Sequence, residues 1–157
     1  IEVDNWESEN YYSGSQPIFK AYYDTVSSQI IKVERYEGMD WHEETASYYF
    51  KDSNLFFIYT HGYFAGEMYT AKELNMTEDE LWQQGGEAKT LKLYQDRIYF
   101  HNDKVIRYLR KDQEVDKDHP TKIDREIKNV SKDVSEATDA DTINYAKEFL
   151  RELTTRI

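Results

Sequence analysis

Four histidines and 31 acidic residues are the groups in this chain that could hold a metal or move a proton. His42-Glu43-Glu44 has the start of a zinc-protease pattern, but Ala46 stands where the second histidine of that motif is needed. His101-Asn102-Asp103 reads as a turn, where Asn and Asp serve for their backbone conformations. Asp116 and Asp118 open a calcium-like loop that then fails. Thr121 stands where the sharp turn wants Gly, and Ile127 where a bidentate Glu belongs. With no cysteine, thiolate nucleophiles, disulfides and Cys-based metal sites are excluded together. No Ser lies in a nucleophile elbow, and Gly85-Gly86 follows a helix pattern instead of opening one around a phosphate. Neither a catalytic residue, a metal nor a cofactor is therefore expected.

Aromatic residues supply the other chemistry. They make up 15% of the chain, with fourteen tyrosines, whose rings bury well while the hydroxyl stays wet. Tyr59, Tyr63, Phe64, Met68, Tyr69 and Trp82 fall in or beside a long connection over 61–89, flanked by Gly62 and Gly66. Long connections of this kind tend to carry contact surfaces, and these six residues are the candidate ligand-binding set. Asp139 and Asp141 read as helix caps.

The positioning elements follow from periodicity. Tyr49-Phe50, four polar residues and Leu55 recur as Tyr99-Phe100, four polar residues and Val105, each an antiparallel hairpin. Tyr22-Tyr23 before Ile30-Ile31 reads as a third copy with a turn two residues longer. Strands are predicted over 18–23, 29–36, 44–50, 55–60, 89–100 and 104–111, with a loop over 38–43 and a charged linker over 112–119. Thr77 followed by Glu80 is a capping box for a short helix near 77–84, stopped by Gly85-Gly86. Ile123, Ile127, Val130 and Val134 keep helical spacing after Pro120. Ile143, Ala146, Phe149, Leu150, Leu153 and Ile157 define a second stripe. The fold class is α+β in a single domain over 1–157. A meander sheet of about six strands over 17–111 carries C-terminal helices (120–157) on one face, and 1–16 forms an N-terminal arm.

The run from Lys20 to Lys111 resembles a group of uncharacterised secreted or lipid-anchored bacterial proteins of Bacteroidetes type. The likeness rests on Ala21-Tyr22-Tyr23-Asp24, Lys32-Val33, the hairpin from Tyr48 to Phe57 and the hairpin from Tyr99 to Arg107. It implies an extracytoplasmic location, with a signal or lipid anchor upstream of Ile1, and no activity.

A net charge of −11 disfavours nucleic acid and anionic membranes, since both select clustered Lys and Arg. No apolar run approaches the roughly 20 residues of a membrane span. The expected function is a non-catalytic binding or protein-interaction domain with a protein, peptide or glycan partner. Two alternatives are a hydrolase built on acids with His42, His61 or His101, and an acidic inhibitor-type protein that pairs with a basic target.

Overall fold

The computed structural model describes the backbone of residues 2–7, all of residues 18–137, and the tail positions Asn144, 146–148, Leu150 and Arg151. The chain folds mainly into one antiparallel sheet whose strands follow each other in space as in sequence. They are β1 (Glu2–Glu7), β2 (Ile18–Tyr23), β3 (Ile30–Met39), β4 (His42–Lys51), β5 (Asn54–Ala65), β6 (Thr90–His101), β7 (Lys104–Asp116) and β8 (Val130–Lys132). One six-residue helix, α1 (Glu78–Gln83), stands between β5 and β6, and a single 3-10 turn covers Val134–Ala137.

The hairpin repeat is visible as shared register. Phe50 pairs with Leu55 and Tyr49 with Phe57, so Phe56 is bulged out. Phe100 pairs with Val105 and Tyr99 with Arg107, leaving Ile106 in the same position. Tyr23 pairs with Ile30 and Tyr22 with Lys32, leaving Ile31. The same extra residue sits at the same place in all three copies, where it kinks the strand and raises its twist. Asp52-Ser53 and Asn102-Asp103 close the two tight copies with positive φ at both central residues. That is the primed turn whose twist matches the flanking strands.

Alternation then sorts side chains onto two faces. On the first face, Ala21, Val33, Tyr48, Ile58 and Ile98 form one row across the strands. With Phe50, Leu55 and Phe100 they build a core at the turn end of the sheet. On the second face, Leu91, Leu93 and Val115 build a separate core at the opposite end, beneath Ala88, Ile123, Trp41 and Ile127. The turn end of that second face carries a cross-strand aromatic ladder. Phe57 lies 5.4 Å from Tyr49 and 4.9 Å from Tyr99, ring centre to ring centre. Lys32 caps Tyr49 at 5.4 Å and Arg107 caps Tyr99 at 5.8 Å, cation over ring at both ends.

Several expectations need correction. Residues 2–7, read as part of an arm, form a strand paired with β2. The loop expected over 38–43 is a tight turn, because β3 runs to Met39 and β4 starts at His42, with Asp40 at φ 46°. The charged linker begins as strand: β7 continues to Asp116, pairing with Thr90. The helix expected after Pro120 is absent, and Val130 lies in β8 instead. All four residues of that stripe are β-branched, which weakens helix propensity. Gln113 also holds Asp124 at both side chain and backbone, at 2.6 and 2.9 Å. Ile123 is nevertheless buried.

In the second tail stripe, the described positions are helical, with Ala146 fully buried in the first core and Leu150 packed against it. Lys147 reaches Asp103 in the β6–β7 turn at 2.8 Å. Ile143, Phe149, Leu153, Ile157, Asp139 and Asp141 lie outside the described residues.

Candidate functional site

The connection between β5 and β6 is built as a folded extension. Met68 bridges Ala88, Tyr69 N–H donates to Glu87 O at 2.8 Å and Lys89 N–H to Glu67 O at 2.7 Å, closing its base. Within it α1 is capped at both ends. Glu80 N–H donates to Thr77 Oγ1 at 3.2 Å and Thr77 N–H to Glu80 Oε2 at 2.7 Å, the capping box expected from sequence. At the other end Gly85 N–H bonds Trp82 O and Gly86 N–H bonds Leu81 O, a Schellman arrangement. Gly85 and Gly86 have φ of 76° and 78°, a region that penalises any side chain.

This extension meets the β3–β4 turn, tied by Trp41 Nε1–H donating to Gly86 O at 3.3 Å. Between the two lies a groove of about 550 Å³ lined by Asp40, Met68, Tyr69, Glu78, Leu81, Trp82, Gly85 and Gly86. Trp82 is 86% exposed and Met68 39%, whereas Tyr69 is half-buried. Lys89 stands 5.2 Å over the Tyr69 ring and pairs with Glu73 at 2.6 Å. That ammonium, with the Thr70 bonds, holds the Glu73 carboxyl down at about 2.

The structure thus unites three of the six sequence-predicted site residues and separates the rest. Tyr59 lies on the second sheet face under the Arg97 guanidinium at 5.4 Å, and burial pushes its phenol up. Tyr63 is a strand residue packed on the second core, with its hydroxyl 3.4 Å from Glu43. Phe64 points to the first face, 40% exposed and 6.1 Å from the Tyr94 ring. All three belong to β5, which runs on to Ala65, five residues beyond the end its apolar pattern suggests.

Sequence reading missed Asp40, Glu78 and Leu81 as lining residues. It also missed a polar network on the first face, whose partners come from strands far apart in sequence. Tyr94 Oη donates to Glu44 Oε2 at 2.6 Å across 50 residues, and Glu44 also pairs with Arg35. Tyr108 Oη donates to Asp96 Oδ1 at 3.0 Å, and Arg110 lies 3.6 Å from that carboxylate. Burial raises the Asp96 carboxyl against the pull of Arg110. Burial, then Asp96, pushes the Tyr108 phenol up to about 12, and burial with the Glu44 bond pushes Tyr94 higher still. These groups satisfy one another and act as a brace.

His42, His61 and His101 are exposed, and His119 is half-buried with its Nε2 3.8 Å from Asp124. Among the described residues no three His, Asp or Glu side chains converge to hold a metal, and no helix is long and apolar enough to cross a membrane. No protein-family model, curated protein or solved structure matches this chain.

Proposed function

We propose that the chain is a non-catalytic binding or protein-interaction domain acting outside the cytoplasm, with its partner seated in the Trp82 groove. One observation carries the reading: α1 buries none of its residues, yet it is capped at both ends. Short helices are marginal without tertiary packing, so caps at both ends are what a presenting helix needs. What it presents is Trp82, a residue type enriched where proteins contact partners. The extracytoplasmic location rests on the likeness of the hairpin motifs to secreted and lipid-anchored bacterial proteins.

The inhibitor-type alternative has support of its own in Asp40 and Glu78 at the groove. The hydrolase alternative has less, because among the described residues His42, His61 and His101 are exposed and none is hydrogen-bonded to the half-buried Asp96 or Glu44.

Site-specific photo-crosslinking in the producing cells tests the reading. A benzoylphenylalanine at position 82 should give a discrete adduct. The same group at Val26, 93% exposed on the β2–β3 turn, should not. Equal labelling at both positions, or none at position 82, would overturn the groove as contact surface.

A further inference from the structure

We infer that the Trp82 groove takes a cationic side chain, an arginine or lysine carried on an apolar segment of a partner protein. The inference rests on the groove being the contact surface proposed above. Its floor is apolar, from Met68, Leu81 and the Trp82 ring, and among the described residues the charged ones that line it are Asp40 and Glu78. Both are exposed, and neither has a hydrogen-bond or ion-pair partner among the described residues. Their neighbours differ. Glu73 is held by Lys89, Glu87 by Lys117, and Glu80 by the Thr77 cap. Lys89 and Lys117 are thereby already engaged, and among the described residues no cation lines the groove.

An amphipathic cation fits this layout part by part. Its methylene stem suits the Met68 and Leu81 floor, while its head suits an indole face with carboxylates beside it. A neutral apolar segment would cover Asp40 and Glu78 without giving them partners, which costs free energy. An anionic ligand would meet both carboxylates and the chain's charge of −11. Gly85 contributes to the shape as well. The Asp40 carboxylate lies 3.8 Å from where a Gly85 Cβ would be, so the carboxylate stands directly over the glycine turn.

The test uses the full chain, labelled with nitrogen-15, with the Trp82 indole signal assigned by Trp82→Phe. One probe is an acetylated and amidated Gly-Leu-Arg-Leu-Gly peptide. Its twin carries citrulline, the neutral isostere, in place of arginine. The arginine peptide should shift the Trp82 signal saturably, and the citrulline twin should bind about tenfold or more weakly. Asp40→Asn with Glu78→Gln should impose the same loss on the arginine peptide, leave the twin's binding no weaker and leave the melting temperature unchanged. Equal binding of the two peptides overturns the cationic occupant while leaving the groove as an apolar contact surface. Failure of both peptides to shift Trp82, with the crosslink at position 82 still forming, overturns the cationic occupant alone. Peptide-induced shifts confined to residues outside the groove, with no crosslink at position 82, overturn both.

Discussion

Tyr94 reaches across an entire strand to Glu44: its Oη lies 2.6 Å from Oε2, while the residue in register between them on β5 is Gly62. The phenol can cross because Gly62 offers no side chain. A Cβ there would fall 2.0 Å from the Glu43 carbonyl oxygen, so the backbone itself excludes one. The bond spans three strands whose backbone ladders join them in adjacent pairs.

Replacing Tyr94 with Phe should cost about 1.5–3 kcal/mol, the range for a hydrogen bond to a charged group. Gly62→Ala should cost more, because β4 must move as well. Urea unfolding measures both. A Gly62→Ala protein within about 0.5 kcal/mol of the parent would show that the crossing does not need an empty position.

The two cores sit on opposite faces at opposite ends of the sheet, so they should fail independently. Ile58→Ala and Leu93→Ala should each cost about 2–5 kcal/mol. Both side chains are essentially fully buried, in different clusters. The double variant should equal the sum to within about 0.5 kcal/mol. A larger departure would mean that the cores are coupled through the sheet.

Acid should weaken the β5–β6 extension through Glu73. Its carboxyl is held at about 2 when folded, below the roughly 4.3 of a free Glu. The depressed value means that its contribution is present above about pH 4.3 and is lost as pH falls towards 2. Glu73→Gln should flatten the stability curve in that window. An unchanged acid limb would remove Glu73 from the account.

Alkali acts with the opposite sign through Tyr108. Burial, then Asp96, lifts its phenol to about 12, against roughly 10 in an unfolded chain. The fold therefore favours the protonated phenol. That preference is intact below pH 10 and is lost progressively as pH rises to about 12. Spectrophotometric tyrosinate titration should show a late step that Tyr108→Phe removes. A step that survives the substitution belongs to another tyrosine.

Trp82→Ala should leave stability within about 0.5 kcal/mol of the parent, as expected for an exposed residue. It should also abolish partner binding at the groove. Calorimetry together with a binding assay separates the two effects. A melting temperature several degrees lower would make Trp82 a packing residue.

What was legible in the sequence was local. Tyr49-Phe50 and Asp52-Ser53, with their later copies, specify strand end, bulge and turn within a few residues of one another. The Thr77–Glu80 box does the same for α1. What was hidden depended on distant partners. Residues 112–116 of β7 expose one apolar side chain, Val115, to pattern reading, and are held as strand by their register with β6. Ile123 and Ile127 have helical spacing, yet that spacing counts apolar residues without weighing their β-branching. Asp40 carries no signal at all. It reaches the groove only because the β3–β4 turn docks on a loop 45 residues further along, through Trp41 and Gly86.

The uninterrupted order of strands from β1 to β8 has a mechanical consequence. Each strand is hydrogen-bonded only to the stretches of chain next to it, so tension applied at the two ends would load one bond pair after another. A sheet held this way peels from its edges at low force instead of resisting in shear. When the tension is released, every broken strand finds its partner in the adjoining segment, so one surviving hairpin suffices as a template for the rest.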